Sequence, residues 1–444
     1  MLIRQAWVAG VVGACVMMDT AGATDRFYPN CSAASPSGVY RVDAKSPENP
    51  EKGWGQPFAS NFTYTLTDTR IGKTVWTRQQ PMQREKGSSR AWAKEGSPMR
   101  LMVDDTGLVA AYVSGEVMVF MRGSDGRKAG EVSILESFPE KQREAHVGYS
   151  TAGPMWTSNS LWSFVRAPTA DGKGEETLFV IRPNWGHRLV MDTERARLVD
   201  VGTFAGATSA DQLAGAPADV ARVMRAVLAA EESECMRVLE AAAGSAWDKL
   251  YDRDDYWKFS ELGAQIHLTG QVRMKAAVAP LRKIEKLLIE ASTGKGSGDG
   301  EGAVRDDRGW VPGLFRGVRL ALRRLGETPD VGYGVPLRHL KSEGMISYTD
   351  PSAPSVKAWV AVADRIANAP KIRRDMSLFE LADLVGCPDA ETYEDGCDCY
   401  DYDIDGGEPY TLRVCVARGE NKVRHVRKIT PPVWTDPTAR GSRW

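Results

Sequence analysis

The chain has 444 residues, room for about two to four domains. Its 57 basic and 58 acidic residues leave a net charge of −1. That balance argues against a nucleic-acid binder, which needs a basic excess to displace counterions.

Arg4 is the only charge before a run from Ala6 to Met18 that is apolar or small. The run is too short to span a bilayer as a helix. Ala21-Gly22-Ala23 follows it, so residues 1–23 predict a secretory signal peptide cleaved after Ala23. A buried N-terminal helix is the competing reading. Val12-Gly13-Ala14-Cys15 also resembles a lipobox, in which Cys15 would carry lipid and anchor the mature chain. Plain cleavage after Ala23 fits better, because Gly13 is a poor lipobox residue and the apolar run continues past Cys15. Either route predicts an exported chain, periplasmic or extracellular, with no transmembrane span in its mature part. Cys31, Cys235, Cys387, Cys397, Cys399 and Cys415 would then meet an oxidising compartment, where disulfides are expected.

From about 33 to 205 the pattern is short strands broken by turns. Phe62 to Leu66 and Thr74 to Thr77 flank Asp68-Thr69-Arg70-Ile71-Gly72-Lys73, a hairpin signal. Leu108 to Tyr112 leads through Ser114-Gly115 to Val117 to Phe120 and the turn Ser124-Asp125-Gly126. Leu178 to Ile181, Leu189 to Met191 and Leu198-Val199 repeat the scheme. Ser35-Pro36-Ser37-Gly38-Val39-Tyr40 and Asp104-Asp105-Thr106-Gly107 resemble the turn of WD40-type β-propeller blades, and the segment Asp68 to Trp76 resembles the hairpin of PQQ-type propeller repeats. The resemblance implies an antiparallel, propeller-like sheet domain and no binding residues. At roughly 40–45 residues per blade the region allows about four blades; an open sheet or a sandwich is an equal alternative. Trp54, Trp76, Trp92, Trp156, Trp162 and Trp185 make either an aromatic platform for sugars or, as the density of large apolar rings favours, core packing.

From 209 to 345 the apolar period becomes helical. Val220, Val223, Met224, Val227 and Leu228 form one stripe; Phe259, Leu262, Ile266 and Leu268 a second; Leu281, Ile284, Leu287 and Leu288 a third. Leu314, Val318, Ala321, Leu322 and Leu325 form the last, stopped by Gly326 and Pro329. Ala277-Val278-Ala279-Pro280-Leu281 and Ala321-Leu322-Arg323-Arg324-Leu325-Gly326 resemble HEAT-like helix pairs, which implies a protein-binding groove; an ordinary helical bundle stands beside that reading. Glycine at alternate positions makes 292–309 a flexible linker.

The last segment, 353–430, is a small αβ module. Ser377 caps a short amphipathic helix with Glu380 as capping-box partner. Met376, Ser377, Leu384, Gly386 and Pro388 resemble the helix of the SmpA/OmlA (BamE-like) envelope module, which implies a helix followed by a hairpin. Apolar-to-apolar pairing sets Tyr402 opposite Leu412, Tyr400 by Val414 and Ile404 by Tyr410. That register places Asp401 opposite Arg413 and Cys399 opposite Cys415, so a Cys399–Cys415 disulfide is expected, with Cys387 and Cys397 as the remaining pair. Asp401, Asp403 and Asp405 match the first half of a calcium loop, but Leu412 stands where a bidentate glutamate belongs, and strand geometry spaces the three by about 7 Å. Cys397-x-Cys399 is a pair of soft ligands without zinc-finger spacing to a histidine; His425 stands alone in the sequence.

No catalytic, cofactor-binding or metal signature emerges. The five histidines are scattered. The fold class expected is therefore multi-domain α+β: a propeller-like antiparallel β domain, a HEAT-like helical middle and a small αβ module. The function expected is a non-enzymatic exported protein whose partner is another protein or cell-envelope material. The alternative is a secreted hydrolase of polysaccharide or peptide using carboxylates on the β domain.

Overall fold

The computed structural model describes residues 28–50, 59, 61–79, 98–113, 117–150, 153–155, 160–183, 185–245, 256–292, 310–327, 362–386, 388–394, 396–404, 407–417 and 422–433. Residues 1–23, expected to be a signal peptide, with Ala23 and Cys15, the glycine-rich stretch 293–309, Cys387 and Asp405 lie outside them. The chain forms two compact units, one within Met1–Thr157, Ser163–Val180 and Leu189–Val201, the other within Ser158–Trp162, Ile181–Arg188 and Gly202–Trp444. The architecture is α+β with several antiparallel sheets.

The first sheet is a meander of β1 (Cys31–Ala34), β2 (Tyr40–Lys45), β3 (Thr63–Asp68) and β4 (Lys73–Gln79). The second is a meander of β5 (Pro98–Val103), β6 (Val109–Val113), β7 (Val117–Met121) and β8 (Lys128–Ser133). Two short helices, α1 (Ile134–Ser137) and α2 (Glu140–His146), and the hairpin β9 (Gly148–Ser150) with β10 (Gly153–Met155) intervene. A third four-stranded sheet follows, β11 (Leu161–Pro168), β12 (Glu175–Arg182), β13 (Leu189–Asp192) and β14 (Arg197–Leu198). The described residues thus hold three such meanders where a short repeat length allowed about four. The reason is spacing: long connections and the helical insertion push successive first strands from Cys31 to Pro98 to Leu161.

The repetition shows in backbone geometry. The first turn of each meander carries a left-handed glycine: Gly38, Gly107 and Gly172. The last turn does the same with Gly72 and Gly126, at φ 64° and 68°. In the third meander Ala196 occupies that place at φ 45°, a conformation that costs an L-residue about 1–2 kcal/mol. Five of these six turns are held by an aspartate accepting a backbone N–H two residues on, as an Asx turn does: Arg70 to Asp68, Thr106 to Asp104, Arg127 to Asp125, Lys173 to Asp171 and Glu194 to Asp192, at 2.9–3.1 Å; in the Gly38 turn Val39 donates to the Ser37 hydroxyl instead, at 3.3 Å.

Alternating side chains of the first two sheets, among them Val42, Tyr64, Leu66, Val103, Val109, Ala111 and Met121, form one core. Polar contacts join neighbouring meanders. Trp76 donates Nε1–H to the Gly123 carbonyl at 3.0 Å, and Arg78 donates Nε–H to that of Asp125 at 2.9 Å. Ser37 donates both its N–H and hydroxyl to Asp105, and Arg166 reaches Asp104 at 2.8 Å. Phe120 meets Phe179 edge-on with centroids 5.7 Å apart.

In the second unit the helical stripes become α3 (Ala218–Ala243), α4 (Tyr256–Gln271), α5 (Val278–Ser292) and α6 (Trp310–Arg324). Leu239, Leu262, Ile266, Leu281, Ile284, Leu288, Val318 and Leu322 bury together as their common core. Gly270 lets α4 and α6 approach closely, since a Cβ there would lie 3.1 Å from the Ala321 Cα. Helix α6 stops as the sequence predicts: Gly326 takes φ 82°, its N–H reaches the Arg323 carbonyl, and that of Glu327 reaches Leu322.

Beyond them α7 (Val362–Asn368) and α8 (Leu378–Val385) precede a four-stranded sheet of β15 (Ala390–Glu394), β16 (Cys397–Ile404), β17 (Tyr410–Ala417) and β18 (Val423–Ile429). The capping box forms: Ser377 N–H donates to Glu380 at 2.7 Å and Glu380 N–H to Ser377 Oγ at 3.2 Å. The register of β16 on β17 is the one that apolar pairing demands: Tyr402 faces Leu412, Tyr400 Val414, Ile404 Tyr410, Asp401 Arg413 and Cys399 Cys415. Tyr402, Ile404, Leu412, Val414 and Val416 bury one sheet face against Met376, Leu378, Leu381 and Val385. Among the described residues no helix is long and apolar enough to cross a membrane.

Candidate functional site

The other face of the carboxy-terminal sheet collects the reactive and charged side chains. Strand alternation puts Cys397, Cys399, Asp401 and Asp403 of β16 on that face together. Cys399 and Cys415 are joined in a disulfide, with Cα atoms 4.0 Å apart across the ladder. Cys397 is a buried free thiol in the same small cluster, together with Ala417. Strand β18 adds what the sequence pattern did not supply. It pairs His425 with Cys415, and the register then shifts so that Val416 meets Val423, leaving Arg424 as a bulge. The two sulfurs and a ring nitrogen of His425 thereby lie within 4.8 Å of one another. A histidine isolated in sequence becomes adjacent to two cysteines only once the third strand is registered.

Further along the face, the aspartates of the calcium-loop pattern meet guanidinium groups. Asp401 takes a two-pronged contact from Arg413 at 2.6 and 2.7 Å, and Arg413 also reaches Glu394 at 3.0 Å. Asp403 accepts from Arg323 of α6 at 2.6 Å and from the Thr411 hydroxyl at 3.2 Å. Asp401 and Asp403, two of the three carboxylates of that pattern, are thus already paired with arginine.

Asp389 is the centre of this network. Its carboxylate, 8% exposed, lies 2.5 Å from Arg365, 3.2 Å from Arg319 and 3.4 Å from Arg323, and accepts the Asp403 N–H at 2.9 Å. Burial alone would raise its pKa; the guanidinium groups of Arg365, Arg319 and Arg323 override that and hold it far below the usual carboxylate range. Burial in turn lowers the Arg319 pKa to about 10, still charged at neutral pH. Arg365 also donates Nε–H to the Val385 carbonyl at 2.8 Å and lies over the Tyr402 ring. Helices α6 and α7 are therefore tied to this module by charge, and α8 by apolar packing. The sequence offered no periodic signal for this, because Arg319 and Arg323 read as the polar face of an amphipathic helix.

A second buried pair sits among the helices. Glu231 of α3 accepts Nε–H and Nη2–H of Arg188, each at 2.7 Å, and Arg188 also donates to the carbonyls of Ala205 and Ala207. Arg182 donates to Gln271 at 2.8 Å, and burial lowers its pKa to about 10. Burial pushes the thiols of Cys31 and Cys235 up to about 12, which leaves them protonated and unreactive at neutral pH.

In the strand unit, Asp68, Asp104, Asp125, Asp171 and Asp192 hold turns, as described above. Trp76 and Trp162 are buried, so they act as core rather than platform; Trp185 is half-buried, and Trp54, Trp92 and Trp156 lie outside the described residues.

No family model matches the chain, and no curated protein matches it. Among solved structures it is similar to BamB from Moraxella catarrhalis (10% identity over 39% of this chain and 37% of that one, TM-score 0.20). It is also similar to the WD40 domain of SCAP from fission yeast (10% identity, 40% and 34%, TM-score 0.22). A third is the quinohemoprotein alcohol dehydrogenase ADHIIG from Pseudomonas putida HK5 (14% identity, 36% and 26%, TM-score 0.20). The chain spans about a quarter to two fifths of the length of these three proteins, an overlap that carries no functional argument.

Proposed function

We propose that the chain is an exported, non-enzymatic envelope protein that binds other proteins or cell-envelope material as a scaffold. In this reading 1–23 directs export, 33–205 is a propeller-like binding domain, 209–345 a HEAT-like helical domain and 353–430 a BamE-like module. What supports it is strand β4. Among the described residues β4 has a strand neighbour on one side only, and all of its side chains except Trp76 are exposed. Ile71 in its turn and Val75 on the strand are 69% and 40% exposed, large apolar side chains left open beside that edge. An edge strand with exposed apolar side chains is the surface that strand addition by a partner uses: the backbone supplies the hydrogen bonds and alternate side chains the choice of partner.

The test is site-specific photo-cross-linking in intact cells. A photoreactive phenylalanine analogue at Val75 is expected to give a discrete adduct, while the same residue at Lys173, in the exposed first turn of the third meander, gives none. Absence of an adduct from Val75, or equal adducts from both positions, contradicts the proposal.

A further inference from the structure

We propose that Cys399, Cys415 and His425, completed by Cys397, form a redox-gated site for a thiophilic divalent metal, zinc being the representative ion. The proposal is independent of the binding role of β4. Its first support is geometric: two sulfurs and an imidazole nitrogen within 4.8 Å of one another. A tetrahedral zinc with bonds of about 2.3 Å to sulfur and about 2.0 Å to nitrogen sets its ligand atoms roughly 3.5–3.8 Å apart. The sulfurs must separate from bonding distance and the imidazole must close slightly. Side-chain rotation supplies both, because the ladder already fixes the backbones of Cys399, Cys415 and His425 side by side.

The second support is the bulge at Arg424. It breaks the β17–β18 ladder next to His425, the kind of irregularity that re-aims a side chain. The third is Cys397. It lies two residues before Cys399 on the same face, a free thiol buried in the same small cluster, which makes it the candidate for the fourth ligand. The sulfurs are buried while His425 is exposed, so a metal enters from the histidine side.

The chemistry balances as follows. A dithiol reductant transfers two electrons and two protons to the Cys399–Cys415 disulfide; the S–S bond breaks, two thiols form, and the reductant becomes a disulfide. The metal then displaces the thiol protons of Cys397, Cys399 and Cys415 and accepts the lone pair of neutral His425. Reoxidation by a disulfide-class oxidant moves two electrons from the Cys399 and Cys415 thiolates to the oxidant, which takes two protons from solvent and becomes a dithiol; the S–S bond reforms, Cys397 regains a proton from solvent and the ion is released. The sheet is thus cross-linked in either state, by a covalent bond or by a metal.

The experiment uses the full chain, oxidised or reduced and then freed of reductant under anaerobic conditions, titrated with cobalt(II) as a spectroscopic stand-in and competed with zinc. The reduced protein is expected to bind one equivalent with thiolate-to-cobalt charge transfer and the intense visible bands of a tetrahedral site, and the oxidised protein none. His425→Ala, at an exposed position that leaves the fold intact, is expected to weaken binding roughly tenfold or more. Cys397→Ser is expected to weaken it too, and Cys235→Ser to leave it unchanged. No tetrahedral cobalt spectrum in the reduced chain, equal binding by the oxidised chain, or unchanged affinity in His425→Ala would overturn the proposal.

Discussion

Replacing Asp389 with asparagine is expected to destabilise the second unit by about 3–5 kcal/mol at neutral pH, the cost of removing one partner from a buried ion network. Asparagine matches the shape, so the loss is one of charge and not of volume. Arg319, Arg323 and Arg365 would face one another with Asp403 as the remaining nearby carboxylate, which already bonds Arg323. Adding Arg365→Met should recover part of the loss, because it removes one of the uncompensated charges, although the Val385 carbonyl then loses its donor. The pH dependence has a definite sign. The folded-state pKa of Asp389 is depressed, so its contribution is complete above the unfolded value, about 3.9, and is lost as pH falls towards the folded value. Urea denaturation followed by circular dichroism should show a large gap between wild type and Asp389→Asn at pH 7 that narrows below about pH 4. A gap unchanged by acid would mean that the carboxylate's charge is not what stabilises the unit.

Glu231→Gln is expected to have a comparable effect, about 3–5 kcal/mol, since it leaves Arg188 charged and fully buried beside Arg182. Here the double replacement is informative. Arg188→Met with Glu231→Leu removes both charges, so the remaining cost should fall to about 1–3 kcal/mol, that of the Ala207 carbonyl losing its guanidinium donor, since the Ala205 carbonyl keeps the backbone N–H of residue 188. Thermal unfolding of the single and double variants measures the coupling directly. A double variant as unstable as Glu231→Gln would show that packing, not charge pairing, sets the cost.

Both networks were invisible in the sequence for the same reason. Arg188, Glu231, Arg319 and Asp389 are far apart in the chain, and no local period marks a charged residue as buried. What was legible was local or fixed by parity. The turns at Gly38, Gly72, Gly107 and Gly126 follow from residue chemistry, and the ends of α6 and α8 follow from Gly326 and from the Ser377–Glu380 box. The β16–β17 register, with Cys399 opposite Cys415, follows because a one-residue slip would turn Tyr402, Ile404, Leu412 and Val414 away from the helices. Strands β15 and β18 carry no such signal. Charged residues interrupt Val423 to Ile429, and only its neighbour β17 gives that segment a buried side. Without β18 nothing in the sequence places His425 beside Cys415.

The proposed role requires an exported chain working in an oxidising compartment, which one measurement can decide. The natural protein would be isolated by cell fractionation, its first residue determined, and a non-reduced digest mapped by mass. The account predicts a mature chain in the periplasmic or extracellular fraction, beginning at Thr24, with the Cys399 peptide linked to the Cys415 peptide. A chain retained in the cytoplasm that still begins at Met1, with Cys399 and Cys415 as free thiols, would contradict it.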